Sequence, residues 1–283
     1  MNCIYINTPY DKCSHFWHFM MSEFMPIISI ISKIKPNYVI IYNKTREWGK
    51  AFDRFFKDIE HDSLKIELIN NLEDILYIDC IKHNNELNKF DISNMRWDWS
   101  WTEEEEKECM NAIKWLTIET LHYMKNKVLK TSNNEIIIQL RKDNLELTQY
   151  FKDANIGSVE YGHKKRSVKD LDKLINIIPE HYKTTYVSMD GEHIYEQIYE
   201  YINKKKIILG HGAGMFFTLF MNNKSSILEI IPLYKIKKMN GAAQGLVRIS
   251  KLKKCNLKRI ILDNHKSILS VKNINLIINN FIK

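Results

Sequence analysis

Short apolar runs alternate with longer amphipathic segments along most of the chain. In the first part this pattern predicts strands and helices in turn, with strands at residues 3–6, 38–42, 64–69 and 75–79 and helices at 15–33 and 48–57. Such alternation is typical of βα units, in which helices connect the strands of a mainly parallel sheet. Residues 84–100 are polar and aromatic without a clear period, and we interpret them as a long loop.

A long helix is expected next. Thr102 and Glu105 have the spacing of a capping box, in which the two side chains satisfy backbone N–H groups at a helix start. The amphipathic pattern continues to about Lys127, with Leu116 and Met124 on one face. The polar run at 130–134 then has the character of a linker.

The alternation restarts after this linker. It predicts strands at 135–140, 184–188, 206–209 and 226–231 and helices at 144–154, 167–178, 191–203, 213–221 and 271–282. We therefore predict an N-terminal α/β domain at 1–130 and a C-terminal α/β domain at 131–283, facing each other across a cleft. The tail helix is expected to pack back across the first half. Ligands of such sheets bind at the carboxyl ends of the strands.

Composition narrows the class of protein. The 283 residues are 45% hydrophobic and 27% charged, as in a folded, soluble chain. The apolar stretch at 16–31 is interrupted by polar residues and a proline, so no membrane span is expected. Residues 1–9 do not resemble a secretory signal, and the chain as given is expected to be cytoplasmic.

The net charge and the spacing of the cysteines argue against a nucleic-acid-binding protein and against a CxxC site. The net charge of +8 fits either a phosphate-rich partner or a surface rich in lysine; the second is favoured, and no nucleic-acid partner is expected, because no basic stripe with interleaved aromatic residues is present. The five cysteines are scattered without a CxxC pair, which indicates free thiols.

The sharpest local feature is a glycine-rich turn between a predicted strand and a predicted helix. Gly210, Gly212 and Gly214 surround His211 and Ala213 there. Small residues let the backbone approach a ligand closely, and N–H groups at a helix start favour a diphosphate. A tight turn without a ligand is the alternative, because GHGAG is neither a Walker loop nor a GxGxxG sequence.

The turn is part of a longer series of residues in a fixed order. The series comprises a Glu-Gln pair at 196–197, His-Gly-Ala-Gly at 211–214, Phe-Met at 220–221 and Glu-x-x-Pro at 229–232. It resembles glycosyltransferase family 61, which includes EGF-domain O-GlcNAc transferases, protein O-mannose N-acetylglucosaminyltransferases and xylan arabinosyl- and xylosyltransferases. Weaker similarities are a strand ending in Arg141, Arg166 before an acidic helix, and a histidine helix within 15–26.

The resemblance implies a GT-B architecture, a nucleotide-sugar donor (commonly a UDP-sugar) and inverting transfer to a hydroxyl of a glycan or glycoprotein, without an essential metal or resident cofactor. Members of the family are often anchored in the secretory pathway, whereas no anchor is recognised in this chain. Two other functions stay open: a non-catalytic nucleotide- or glycan-binding protein of the same fold, and a nucleic-acid-binding α/β protein.

Donor-binding roles follow from the chemistry. Arg141, His211 and the backbone of 210–214 are candidates for stabilising the leaving diphosphate, because positioned cations and N–H groups stabilise developing negative charge. Arg166 is a further phosphate candidate, with a solvated basic run as the alternative. Glu229 is a candidate acceptor for ribose hydroxyls. Gln197, with its neighbour Glu196, is expected to brace the glycine turn.

The base that deprotonates the acceptor is sought in the first half. His18, His15 and Glu23 are the candidates, since a histidine or a buried carboxylate suits this role. On an α-helix the two histidines share a face and Glu23 is turned away from His18. His18 is favoured by its spacing to Pro26, and a packed histidine is the alternative.

Two short motifs admit competing interpretations. The Trp-Asp-Trp-Ser-Trp run at 97–101 is either a platform for sugars or, as favoured, a plug for the core, and Asp98 within it is a spare candidate base. Asp170 and Asp172 form a DxD sequence, the metal motif of another glycosyltransferase fold. Their amphipathic surroundings separate the two carboxylates, so no metal is predicted.

Overall fold

The computed structural model describes residues 2–8, 16–43, 53–71, 73–74, 88–92, 95, 97, 101–125, 127, 136–140, 171, 174, 178, 184–188, 192–231, 244–262 and 269–282. The chain forms two compact units, Met1–His122 with His193–Tyr195 and Tyr123–Glu192 with Glu196–Lys283. The predicted strand at 75–79, helix at 144–154 and linker at 130–134 lie outside the described residues, as do most of the helices predicted at 48–57 and 167–178.

The first unit is built on a four-stranded parallel sheet. Its strands are β1 (Cys3–Asn7), β2 (Tyr38–Tyr42), β3 (Lys65–Ile69) and β4 (Asn88–Asp91), in the order β3-β2-β1-β4. The prediction of β1, β2 and β3 is confirmed. Residues 84–100 were expected to form a loop, but part of this segment is the strand β4. β4 is an edge strand with mostly exposed side chains, so its sequence contains no apolar run from which a strand could be predicted.

The helices of the first unit depart from the predicted pattern in one place. They are α1 (Phe16–Phe19), a π-helical turn (Met20–Phe24), α2 (Met25–Ile34), α3 (Arg54–Asp58) and α4 (Glu103–Met124). The single helix expected at 15–33 therefore contains a wide turn, in which Met25 N donates to Met20 O. It lies directly before Pro26, whose missing N–H interrupts the helical hydrogen-bond ladder.

Aromatic side chains join these helices. Phe19 and Phe24 pack against Phe55 and Phe56 with ring centroids 5.5–6.3 Å apart. All four rings are at most 2% exposed, so α3 is held against the π turn by a fully buried cluster.

The start of α4 confirms the predicted capping box. Thr102 N donates to Glu105 Oε2 at 2.7 Å, and Glu105 N donates to Thr102 Oγ1 at 3.2 Å. Further along α4, Glu108 accepts hydrogen bonds from Ser29 and Lys33 of α2, so these two helices are tied by a charged group.

The second unit is built on a five-stranded parallel sheet. Its strands are β5 (Ile136–Leu140), β6 (Thr184–Ser188), β7 (Lys206–Gly210), β8 (Ser226–Ile231) and β9 (Asn256–Ile261), in the order β6-β5-β7-β8-β9. Strands β5 to β8 confirm the sequence pattern. From β5 the chain proceeds to β6 on one side and then to β7, β8 and β9 on the other, so the strand order reverses between β5 and β7. Doubly wound sheets bind ligands at such a point, outside the carboxyl ends of the strands.

α5 (Ile194–Tyr199) starts in the first unit and continues in the second. The other helices of the second unit are a 3₁₀ helix (Ala213–Phe220), α6 (Gln244–Leu252), α7 (Val271–Ile277) and a π-helical turn (Ile278–Ile282). α5 is shorter than the helix expected at 191–203. Residues 213–221 were expected to form an α-helix, and the 3₁₀ geometry corrects that expectation. No helix in the described part of the chain is long and apolar enough to cross a membrane.

The tail helix packs on the sheet of its own unit. Ile277, Phe281 and Ile282 join the apolar core formed on one face of the sheet by residues such as Ile208 and Ile230. Two lysines of the sheet reach its last carbonyls: Lys206 Nζ donates to Ile282 O at 2.8 Å and Lys258 Nζ to Asn280 O at 2.6 Å. The tail was expected to pack back across the first half. Instead, its apolar side chains pack against the sheet of the second unit.

Candidate functional site

A row of four side chains crosses the second sheet near its carboxyl end. Gln139 of β5 lies opposite Leu209 of β7, Leu209 opposite Glu229 of β8, and Glu229 opposite Arg259 of β9. Because registered neighbours in a parallel sheet point to the same face, these four share one face. The alternate residues form the apolar core under the tail, so the row is on the opposite face. Because three of these four strands carry a polar group here, we consider this end of the sheet the candidate site.

His211 is the first residue after β7, and its backbone and side chain are both fixed. His211 N donates to Ile230 O at 2.9 Å, which extends the pairing of β7 with β8 by one bond. Its Nδ1 lies 2.6 Å from Glu229 Oε1. The side chains are 4% and 1% exposed, so this is a buried contact between an imidazole and a carboxylate.

Arg259 binds the other oxygen of the Glu229 carboxylate. Its Nε donates to Glu229 Oε2 at 2.8 Å, and its side chain is 29% exposed. Both oxygens of Glu229 therefore bind protein groups, and the ribose recognition expected of this residue stays a prediction. The sequence pattern did not identify Arg259, because a strand at 256–261 was not predicted and the pairing depends on the register of β8 and β9.

Close packing explains why position 214 in the turn is a glycine. A Cβ at this position would lie 2.0 Å from Gln139 Nε2 and 2.9 Å from Gln139 Cδ. The turn after β7 thus packs directly onto β5, across the point where the strand order reverses. Gly212, in contrast, has an extended backbone (φ 163°, ψ −176°) that other residues also adopt.

The segment after the turn differs from the expected helix N-terminus. Ala213–Phe220 is a 3₁₀ helix in which Met215 N donates to Gly212 O at 3.2 Å. Residues 215–220 are all buried, so this segment is surrounded by protein, which favours a tight 3₁₀ conformation over a solvent-facing helix. Gly210 ends β7, and Gly212 and Gly214 follow it at the side of the sheet where the strand order reverses.

Gln197 does not hydrogen-bond to the glycine turn in the part of the chain that the structure describes. Its Nε2 donates to Glu192 O at 2.6 Å, and its side chain is 1% exposed, so it secures the start of α5. Glu196 pairs with Lys127 instead. The expectation that these two residues brace the turn is corrected, because their polar atoms are directed to other partners.

The candidate bases of the first half are only partly described. His18 is half-buried in α1, and Glu23 is 3% exposed in the π turn. Because a π turn closes i to i+5 hydrogen bonds, it brings Glu23 closer to the face of His18 than the α-helix we assumed. His15 and Asp98 lie outside the described residues.

Several other predicted residues are also outside the described part, namely Arg141, Arg166, Asp170 and Asp172. Trp97 is described, and at 1% exposure it belongs to the core, in agreement with the favoured plug; its carbonyl accepts a hydrogen bond from Trp101 Nε1. Among the described residues, no three His, Cys, Asp or Glu side chains are grouped as a metal site.

A groove of about 370 Å³ lies between the tail and strands β8 and β9. It is lined mainly by apolar residues such as Leu228 and Phe281, together with the polar residues Lys258, Arg259 and Asn280. The amino group of Lys258 already binds a carbonyl of the tail, and Arg259 Nε binds Glu229. The groove therefore offers less ligand chemistry than the carboxyl end of β7.

The described geometry supports two kinds of chemistry at the switch point. The glycine turn lets backbone groups approach a ligand, and the carboxylate-bound imidazole supplies a group that accepts or donates a proton. Searches against protein-family models and against curated proteins find no match for this chain.

Proposed function

We propose that the protein is an inverting glycosyltransferase that moves a sugar from a nucleotide-sugar donor, with UDP as the expected nucleoside diphosphate, to a hydroxyl of a glycan or glycoprotein. The observation that carries this proposal is the position of the glycine turn. His211 and Gly214 follow β7 where the strand order of a doubly wound sheet reverses, and ligands of such sheets bind there.

The sequence series around the turn supports the same activity. The His-Gly-Ala-Gly, Phe-Met and Glu-x-x-Pro elements resemble glycosyltransferase family 61, and the first of them occupies the switch point. Each unit has its own parallel sheet flanked by helices, which is compatible with the GT-B architecture that is part of this proposal.

The roles assigned to individual residues are also proposals. Arg141, Arg166 and the backbone of 210–214 stabilise the leaving diphosphate by positive charge and N–H groups. His18, His15, Glu23 and Asp98 are the candidate bases of the first half. The proposed reaction uses no resident cofactor and no essential metal.

Thermal stabilisation by nucleotides tests the donor class. UDP, GDP, CMP and the corresponding sugar nucleotides are added with and without EDTA, since a ligand of the folded state raises the midpoint of unfolding. We expect a shift with UDP and UDP-sugars that EDTA does not change. Arg141→Ala should abolish this shift, whereas Arg248→Ala, which removes a charge from α6, should retain it.

The outcomes separate the competing functions. If no nucleotide shifts the midpoint, the donor site is refuted. If UDP binds but no UDP is released from UDP-N-acetylglucosamine, UDP-xylose or UDP-arabinose with any acceptor, a non-catalytic nucleotide-binding protein replaces the enzyme. Salt-dependent binding of RNA or DNA without nucleotide binding would favour the nucleic-acid-binding alternative.

A further inference from the structure

The two ring nitrogens of His211 have different surroundings. Nδ1 lies 2.6 Å from Glu229 Oε1, and Glu229 is 1% exposed. An ionised carboxylate only accepts hydrogen bonds, so the proton of a neutral imidazole is placed on Nδ1 by this contact. Nε2 then carries a lone pair and is an acceptor.

The hydrogen bonds of His211 in the described part of the chain involve its backbone N and its Nδ1, and Nε2 is not among the buried side-chain atoms that lack a partner there. His211 follows β7 beside the glycine turn, so Nε2 is the ring nitrogen that is left to meet a group of a ligand at the switch point. Since Nε2 accepts, that group is a hydroxyl rather than a phosphate oxygen, which has no hydrogen to donate.

Arg259 binds the same carboxylate. Its Nε donates to the second oxygen of Glu229 at 2.8 Å, so one oxygen faces the imidazole and the other faces a guanidinium group. The same bond holds the carboxylate in the plane in which it meets Nδ1. Unbalanced charge is costly in a buried place, and Arg259 removes that cost.

We propose that His211 is the general base of the transfer and that Arg259 is a positioning residue that acts on it through Glu229. The arrangement follows the logic of a carboxylate–histidine pair, in which the carboxylate selects the tautomer and the other ring nitrogen moves the proton. The inference rests on the proposed function. It replaces the role in leaving-group stabilisation that the sequence suggested for the side chain of His211. It also takes the place of the candidate bases of the first half, His18, His15, Glu23 and Asp98.

The step balances as follows in atoms and electrons. Nε2 takes the proton of the acceptor hydroxyl, and the hydroxyl oxygen forms a bond to the anomeric carbon. The bond between that carbon and the phosphate oxygen breaks, and its electron pair leaves with the nucleoside diphosphate. The imidazolium that forms is stabilised by Glu229.

The rate of transfer and the affinity for UDP together distinguish a general base from a residue that binds the diphosphate. For His211→Gln we expect the rate of UDP release from UDP-N-acetylglucosamine to fall by about 10²–10⁴-fold, the usual contribution of a general base. The Kd of UDP, measured by calorimetry, should stay within about threefold of wild type, which corresponds to less than about 1 kcal/mol. A loss of UDP affinity as large as the loss of rate would overturn the proposal, since His211 would then bind the diphosphate.

Variants of Arg259 test the positioning role. Arg259→Gln should lower kcat with little change in the Kd of UDP, and Arg259→Lys should restore part of the rate. Lys258→Gln, which changes the neighbouring charge on β9, is the matched control and should keep the wild-type rate. Equal rates in Arg259→Gln and wild type would refute the role of Arg259.

Nitrogen NMR of ¹⁵N-histidine-labelled protein gives a readout that does not depend on activity. The His211 signals, identified by their absence in His211→Gln, should show that the neutral ring carries its proton on Nδ1, and Arg259→Gln should weaken this preference. A neutral ring with its proton on Nε2 in the wild-type protein would overturn the proposal. If the tautomer is as expected but no UDP-sugar is bound or cleaved, the proposed function and the base role fail together, while the positioning of His211 by Arg259 stands.

Discussion

Replacing Gly214 by alanine should destabilise the second unit. The new methyl carbon would lie 2.0 Å from Gln139 Nε2, 2.9 Å from Cδ and 3.1 Å from Oε1. Unbonded heavy atoms reach their optimum at about 3.5–4.0 Å, so all three contacts are overlaps. Gln139 is a flexible side chain, but at 8% exposure it has little space into which it can turn.

The magnitude follows from these overlaps. Adding a methyl group to a packed site that relaxes only in part costs about 1–3 kcal/mol. For a chain of this size, each kcal/mol lowers the melting temperature by about 2–4 °C. Urea unfolding followed by circular dichroism, together with thermal scans, measures both quantities.

A double-mutant cycle identifies the cause. Gln139→Ala removes the atoms that the methyl group would meet, so Gly214→Ala should cost little in that background and the coupling energy should be about 0.5–3 kcal/mol. Gly212→Ala is the matched control, because its extended backbone (φ 163°) admits alanine. Unchanged stability in Gly214→Ala, or an equal loss with and without Gln139, would refute the close approach of the turn to β5.

Three further predictions concern other parts of the protein. Thr102→Ala should lower the free energy of unfolding by about 0.5–2 kcal/mol, because the capping box of α4 loses its hydroxyl acceptor; urea unfolding measures this, and no loss would contradict the observed bond. Burial of Glu108 opposes ionisation, but hydrogen bonds from Lys33 and Ser29 and the charge of Lys33 outweigh it and lower the pKa of this carboxyl. Its contribution to stability is therefore full above the ordinary pKa of glutamate and lost as the pH falls through the lower folded value, so the difference in unfolding free energy between wild type and Glu108→Gln should shrink between about pH 6 and pH 3. A constant difference over this range would contradict the assignment. Burial raises the pKa of the Cys255 thiol despite the opposing charge of Lys253, and Cys3 and Cys109 are buried, so a variant with Cys13→Ser and Cys80→Ser should react slowly with Ellman's reagent when folded and rapidly in urea.

Local patterns in the sequence predicted most of the described strands. The apolar runs that became β1, β2 and β7 are buried on the sheet, and a run of this kind needs no information from the rest of the chain. The capping box at Thr102 was equally recognisable, because both of its partners lie within four consecutive residues. These features depend on neighbours in sequence.

Two edge strands, β4 and β9, were missed for the complementary reason. They are largely exposed, so their side chains do not show the apolar pattern that marks a buried strand. The helix types were also not predicted, since the π turn before Pro26 and the 3₁₀ helix after the glycine turn depend on how the chain packs around them.

At the candidate site, the sequence by itself determined which residue types are present: three glycines, a histidine after a buried strand and a glutamate on the next one. The tertiary structure decided what each of them does. Only the register of the five parallel strands places Arg259 beside Glu229 and Gln139 beneath Gly214. These partners are far apart in the chain, and the contacts between them arise from the order in which the strands are paired, which no local pattern contains.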